Sequence, residues 1–324
     1  MRTAGFTVII PLYNKRAYIV RTLETVLAQV LPAAEVIVVD DGSSDGGDAL
    51  VEAIGVEAIG VEALGNPRVK LVRQANAGPG IARNTGIAQA TGEWVALVDA
   101  DDLWAPDHLQ RLADVIRDCP NADLVATGFR AIDAGSGPPP LAGPAPARMV
   151  DFYAPGIAET LFTSSVAIRR SAFLETAGFA PFRTGEDTDF WIRFALDHHF
   201  AASDAVTVSY VRGNGGLMDQ AHEGMRSLVA PPPSPVFETI AHLLADPRHA
   251  ARHAALAAYG DRLRCQFARQ LIYNGHPRAA RALLGGVARR GGDWWQTWLA
   301  TLVPRRAVVG LARLRNRLRH RKAP

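Results

Sequence analysis

Residues 6–10 (FTVII), 35–39 (EVIVV) and 94–98 (WVALV) are almost unbroken apolar runs, and the shorter run 69–72 (VKLV) belongs to the same series. Runs of this length without polar alternation read as strands buried on both faces. Between the first two, Ile19, Leu23, Val26, Leu27 and Val30 recur at helical spacing until Pro32 stops them. Strand, helix, strand with buried strands specifies a parallel sheet joined by right-handed crossovers. Ligands of such sheets bind at the carboxyl ends of the strands. Three polar loops fall at those ends: PLYN at 11–14, DDGSSD at 40–45 and DADD at 99–102.

The third loop carries the clearest chemistry. A buried strand cannot cheaply hold Asp99, Asp101 and Asp102, because burying unpaired charge is expensive. The acids are therefore expected where the strand emerges, in an open crevice. Asp99 and Asp101, two apart, can both turn towards one divalent cation. Hard oxygen ligands with few other protein ligands suit Mg²⁺ or Mn²⁺ that also holds a diphosphate. The plainer alternative is a polar turn, with Asp102 or Asp107 capping a helix that starts near Pro106.

The rest of the chain supplies further candidates. Gly78-Pro79-Gly80 turns into a helix whose first turns carry Arg83 and Asn84, close to the strand ends. A helix is expected over 106–118, strands over 123–127 and 164–168, and a helix over 171–177. Residues 133–146, rich in Gly and Pro, read as a loop. Glu186, Asp187 and Asp189 open a helix whose Trp191, Ile192, Phe194 and Leu196 make it a buried one. Acids at a helix start are favoured by the helix dipole. A carboxylate held there and facing the crevice is also suited to general-base work. A last strand, 206–211, runs into the glycine-containing loop 212–216, which either closes over a phosphate or serves as a plain linker. The pentapeptide repeated three times at 51–65 reads as an expanded surface segment; its period is too short for a solenoid.

Taken together, PLYN at 11–14, VVDDGSSD at 38–45, NAGPGIARNTGI at 76–87, DADD at 99–102 and GEDTDFWIR at 185–193 resemble the family 2 glycosyltransferases. The resemblance covers roughly the first 225 residues, with the motifs in family order. It implies a GT-A fold, a Rossmann-like, mostly parallel sheet flanked by helices, and an inverting enzyme with a nucleotide-sugar donor. It also implies residue roles. Pro11 and Tyr13 would contact the base, with Asn14 shaping that loop. Asp41 would bond the base, a uracil in relatives, and Arg83 would lie beside base and phosphates. Asp99 would reach the ribose and metal, and Asp101 the metal, Mn²⁺ or Mg²⁺. Asp187 would be the catalytic base, with Glu186 beside it. Two departures stand out. No Gln-x-x-Arg-Trp motif with membrane helices is found, which disfavours processive polymerisation. The histidine that relatives often carry after the last strand is missing too: the loop reads VRGNGG, His222 is the nearest histidine, and Arg212 is a candidate for the third contact to the diphosphate.

Charge separates the two ends of the chain. Residues 1–230 carry 18 basic and 28 acidic side chains, a net of −10, whereas 231–324 carry 17 and 4, a net of +13. The expected organisation is a catalytic domain over 1–230 and a helical C-terminal region over 231–324, joined at the stiff stretch PPPSP. Within the second part, 236–290 read as helices with Leu263, Phe267 and Leu271, then Ala279 and Leu283, on apolar faces, interrupted at Asn274-Gly275-His276-Pro277. Trp294, Trp295 and Trp298 precede a stretch, 305–322, with eight basic residues and no acid. This pattern suits either a plain basic tail or docked helix, or a surface helix on an anionic inner membrane leaflet. It fits a cytoplasmic protein, peripheral on the inner face of the membrane. Nucleic acid is an unfavoured partner, because no base-reading element accompanies the basic tail. No leader and no apolar span of about 18 residues is expected. Cys119 and Cys265, far apart, suggest a reducing compartment. The partners expected are thus a nucleotide-sugar donor and a glycan, lipid-linked or protein acceptor. The rival readings are a nucleotidyltransferase, disfavoured because PLYNKR lacks a glycine-rich phosphate loop, and a non-catalytic nucleotide-sugar-binding protein.

Overall fold

The computed structural model describes residues 5–59, 68–212 and 234–303, together with Ala307. The end of the 51–65 repeat, the loop 213–216, His222, the expected boundary at 230, most of the PPPSP stretch and the 305–322 tail lie outside them, apart from Ala307. The chain divides into two compact units, Met1–Asn214 and Gly215–Pro324.

The first unit is a mixed sheet of nine strands with helices packed on it. Its parallel half is β3 (Arg68–Arg73), β2 (Glu35–Asp40), β1 (Phe6–Leu12) and β4 (Trp94–Leu97), in that order. The crossovers are α1 (Arg16–Leu27), α2 (Gly47–Ile59) and α3 (Pro79–Gln89). Val8, Ile9 and Ile10 of β1 are each fully buried, which explains why that run has no polar alternation. Helix α3 lies so close to β1 that a Cβ on Gly86 would stand 2.7 Å from Ile9 Cγ2.

Beyond β4 the sheet turns antiparallel. β8 (Val166–Arg169) pairs with β4, and β6 (Leu124–Asp133) pairs with β8. β9 (Phe200–Arg212) then runs parallel to β6, and both are longer than the expected 123–127 and 206–211. Two short strands absent from the sequence expectations, β5 (Leu103–Trp104) and β7 (Ala147–Val150), flank β9. Helix α4 (His108–Asp118) covers this half. Asp107 stands at its N-cap position, but the carboxylate does not cap the helix. It accepts instead the N–H groups of Ala142 and Gly143, pinning the Gly/Pro-rich loop. Helices α5 (Arg170–Leu174) and α6 (Glu186–Phe194) complete the unit.

The second unit contains α7 (Val236–Ala245), a 3₁₀ stretch (Pro247–Arg252), α8 (His253–Asn274), α9 (Pro277–Gly285) and α10 (Gly292–Ala300). Gly275, at φ 99°, ends α8, and Pro277 starts α9, as the break at 274–277 requires. Ala280 and Leu284 fill the core against Ala268 and Ile272. Ala279 and Leu283, the expected core residues, flank it half-buried, so the face of α9 is rotated by one residue. Both cysteines are free and buried.

Candidate functional site

Apart from Pro11, near the end of β1, each sequence-derived site residue of the first unit's parallel half sits on a loop that leaves it at its carboxyl edge, or on α3 and α6. The loop after β1 is bent by Asn14, the one described non-glycine residue with positive φ, at 50°. Asn14 is bonded to the loop after β2, where the Ser44 hydroxyl also donates to its Oδ1, at 3.4 Å. Its Oδ1 accepts the Ser44 N–H at 2.8 Å, and its own N–H donates to Ser43 Oγ at 3.1 Å. Pro11 lies within β1 opposite Val39, and Tyr13 projects with an exposed ring. An exposed aromatic ring at a strand end is a surface on which a planar base can stack.

Asp41 is buried and already occupied. Its carboxylate accepts Gln74 Nε2, the Ala77 N–H and the Gly78 N–H, each at 2.8 Å. Asp41 therefore fixes the 74–78 loop, and with it the start of α3. Asn84, adjacent to Arg83, faces elsewhere and exchanges hydrogen bonds with the backbone of Phe179.

Arg83 is the hub. Its side chain is 3% exposed, yet it bonds two carboxylates from distant parts of the chain. Nη2 donates to Asp99 Oδ1 at 2.6 Å, and Nη1 to Glu186 Oε1 at 2.8 Å. The two anions hold its charge more firmly than burial opposes it, so its pKa lies above the ordinary arginine value. Glu186 feels the opposite balance. Burial pushes its carboxyl up to about 7, against the pull of Arg83 and with the added push of Asp187.

The DADD loop is graded in exposure rather than uniformly open. Asp99 is 32% exposed, Asp101 15%, and Asp102 is buried. Burial raises the pKa of Asp101, and Lys15, with Nζ 2.5 Å from Oδ2, opposes the rise. Asp102 is neither a crevice residue nor a helix cap. It accepts the Ser164 hydroxyl at 2.5 Å and the Val211 N–H at 3.2 Å, and burial drives its pKa well upwards.

Residues 163–165 were expected to begin a strand at Ser164. They form instead a buried 3₁₀ turn that leads into β8. This turn knits the site together. Ser164 Oγ accepts the Asp99 N–H at 3.0 Å, and Thr163 Oγ1 donates to Asp187 Oδ2 at 3.2 Å. Asp187 stands in the first turn of α6, where its other oxygen accepts the Thr188 N–H. Arg193 pairs with Asp189 and the Gly178 carbonyl, which closes α6 onto the preceding loop. Thr163, Ser164 and Lys15 are the site residues that the sequence reading missed. The available signal was three consecutive hydroxyl residues, Thr163-Ser164-Ser165, immediately before an apolar run. Arg212, the candidate third contact, pairs among the described residues with Asp133 at 3.5 Å, with both side chains mostly exposed.

The chemistry of Asp99 and Asp101 fits a hard divalent cation. Both present carboxylate oxygens at one strand end, beside a loop that carries an exposed aromatic. Among the described residues no group of three or more His, Cys, Asp or Glu is arranged around a common point. Two carboxylates with substrate phosphate oxygens are a usual donor set for Mg²⁺, which keeps several waters.

Comparison with known proteins bears on the family and the fold. The family model described as glycosyl transferase family 2 matches residues 7–176, more than half of the chain. The succinoglycan biosynthesis protein ExoO of Rhizobium meliloti is 43% identical over 109 residues, 33% of this chain and 28% of that protein. The uncharacterized glycosyltransferase YibD of Escherichia coli is 43% identical over 110 residues, 34% of this chain and 30% of its own. The match thus spans under a third of each of these two relatives. S. aureus TarS 1–349, solved in complex with UDP-GlcNAc, is 23% identical and superposes with a TM-score of 0.63, covering 96% of this chain and 92% of that one. The mannosyltransferase PcManGT from Pyrobaculum calidifontis, solved with GDP-Man and Mn²⁺, is 19% identical with a TM-score of 0.57 over 97% and 81% of the two chains. The structural likeness bears on the fold alone, and it is the GT-A arrangement anticipated from the sequence. By the extent of the family match and the motifs assembled here, the chain belongs to glycosyl transferase family 2.

Proposed function

We propose that the chain is an inverting, divalent-metal-dependent glycosyltransferase that moves a sugar from a nucleotide sugar, UDP-linked, to an acceptor hydroxyl. One observation carries the reading. Arg83 joins Asp99, at the exit of β4, to Glu186, the neighbour of Asp187, so one cation ties the loop that would hold the donor to the helix that would carry the base. Tyr13 would stack on the base, and Pro11, Asn14 and Asp41 would shape the pocket around it. Asp99 and Asp101 would hold Mn²⁺ or Mg²⁺, which when bound would offset the charge developing on the leaving diphosphate. Arg83 keeps Asp99 aimed at that point. Asp187, oriented by Thr163, takes the proton of the acceptor hydroxyl as it attacks the anomeric carbon. Attack opposite the leaving group inverts the configuration.

The names of ExoO and of a second relative, ExoW, both called succinoglycan biosynthesis proteins, support polysaccharide assembly as the setting. Lipid-linked glycan and glycoprotein acceptors belong to the same reading. We extend it to a peripheral, cytoplasmic location on an anionic membrane. Trp295, Leu299 and Leu302, spaced along one side of α10 and the turn after it, are each more than half exposed, and an arginine-rich sequence follows. No described helix is long and apolar enough to cross a membrane.

The test is release of nucleoside diphosphate from a panel of nucleotide sugars, with Mn²⁺ or with a chelator, followed by NMR of the product anomer. Metal-dependent release with an inverted anomer supports the reading. Replacing Asp187 by Asn should leave donor binding intact and abolish transfer. Unchanged transfer in that variant would remove the base assignment, and tight donor binding without turnover in the unaltered protein would favour a binding protein.

A further inference from the structure

The second cation of the site, Lys15, has no place in the reading above. It occupies the N-cap position of α1 without any capping hydrogen bond, and the first turn of α1 holds no acid. A cation there is unfavourable to the helix, whose N-terminus is itself positive. The position is therefore not explained by helix stability. Nor is the side chain simply solvated. It is 17% exposed, its Nζ lies 5.4 Å from the centre of the Tyr18 ring, and among the described residues that Nζ has no hydrogen-bond partner besides the ion pair to Asp101 Oδ2 at 2.5 Å. The neighbouring backbone is held firmly. Asp45 accepts the Arg16 N–H at 2.8 Å, and the Asn14 bonds secure the preceding residue.

The two cations of the site differ in how easily each can leave. Arg83 is fully buried and bonded at both ends, to Asp99 and Glu186. Lys15 has, among the described residues, a single carboxylate partner, on a flexible four-carbon stem. A divalent ion approaching Asp101 meets a positive charge already seated on that carboxylate, and two cations cannot share one oxygen without strong repulsion. A nucleoside diphosphate changes the balance, because its phosphates offer the ammonium another anionic partner.

We propose that Lys15 is an internal counter-cation that competes with the divalent metal for Asp101, so that metal binds weakly alone and tightly only together with the donor diphosphate. Lys15 is on this account a positioning residue that sets the order and coupling of metal and donor binding. The inference rests on the metal-dependent reading of Asp99 and Asp101.

The experiment measures Mn²⁺ binding by the loss of the free-ion EPR signal, with and without UDP or GDP, in the unaltered protein, Lys15→Met and Lys15→Arg. Thermal unfolding of each confirms that it is folded. The unaltered protein is expected to bind Mn²⁺ weakly alone and more tightly with nucleotide. In Lys15→Met the affinity for Mn²⁺ alone should rise about tenfold, in keeping with removal of a unit charge at contact distance. The gain from nucleotide should shrink correspondingly, and Lys15→Arg, which keeps the charge, should stay near the unaltered protein. Equal Mn²⁺ affinity in the unaltered protein and Lys15→Met, with nucleotide strengthening both alike, would overturn the role of Lys15 while leaving the metal site standing. No Mn²⁺ binding in any protein, with or without nucleotide, would overturn the metal reading and this inference with it.

Discussion

Arg83 Nη1 lies 2.8 Å from Glu186 Oε1, across 103 residues of sequence, and the same guanidinium reaches Asp99 at 2.6 Å. One planar cation thus sets the spacing between the loop after β4 and the start of α6. A lysine ammonium cannot present two such directed donors at once. Arg83→Met leaves two carboxylates without their cation, and breaking a buried pair costs about 3–5 kcal/mol. Arg83→Lys should fold, but lose about 10–100-fold in metal affinity or transfer, the usual penalty for a residue that orients a metal ligand. Urea denaturation and initial rates of the two variants check this. A fully active Arg83→Lys would contradict the bridging role.

The same pair makes stability depend on pH. Glu186 titrates near 7 in the folded chain against an ordinary 4.5, mainly through burial. Between those values the folded state binds more protons than the unfolded one, so this group's contribution to stability falls as pH rises through the window. His108 acts in the opposite sense. Burial lowers its pKa from 6.5 to about 3, so the unfolded chain takes up a proton that the folded chain refuses, and stability is lost as pH falls below 6.5. Glu186→Gln should remove the first contribution and leave the second. Its urea midpoint should then climb more steeply than the parent's from pH 4.5 to 6.5. Parallel profiles would contradict the assignment.

Ser164 stands between two acids of the DADD loop, accepting from the Asp99 N–H and donating to the buried Asp102. Ser164→Ala removes the acceptor of the Asp99 N–H and the donor to Asp102 Oδ2, leaving Asp102 its bond from the Val211 N–H. The expected loss is about 1–3 kcal/mol of stability for unsatisfied buried polar groups. Metal affinity should weaken as well, because the Asp99 backbone is released. Calorimetry and Mn²⁺ titration measure the two effects. A variant with unchanged stability and unchanged Mn²⁺ affinity would show that the hydroxyl is dispensable.

These contacts mark where the sequence is informative and where it is not. β1, β2 and β4 are legible because both faces are buried, so each reads as an apolar run, and the glycine turn before α3 announces itself. β5 is two residues long, and β7 follows a Gly/Pro-rich loop, so neither has a pattern of its own; both exist because β9 offers an edge to pair with. Acidic motifs reveal the carboxylates of the site but not their partners. Ser164 and Lys15 are ordinary residues in sequence, and only the packing of β8 and α1 brings them to Asp99 and Asp101. Asp102 looks like its neighbours in sequence, yet it is buried because the chain turns there into β5.

The exposed side of α10 yields a prediction for membrane contact. The full chain should sediment with vesicles rich in anionic phosphatidylglycerol and less with neutral phosphatidylcholine vesicles. Replacing Trp295, Leu299 and Leu302 by serine removes exposed apolar surface while leaving the buried Trp294 in place. That variant should stay in the supernatant. Equal sedimentation of both proteins would contradict membrane docking through this face.

Thermal unfolding against a panel of nucleoside diphosphates and nucleotide sugars, with and without Mn²⁺, tests the central claim most directly when Asp101→Asn is run beside the unaltered protein. A ligand at about 100 times its dissociation constant should stabilise by about 2.7 kcal/mol. The account predicts a Mn²⁺-dependent shift with one nucleotide class, uridine, that disappears in Asp101→Asn. No nucleotide-induced shift in the folded protein, or a shift that Asp101→Asn leaves unchanged, would contradict it.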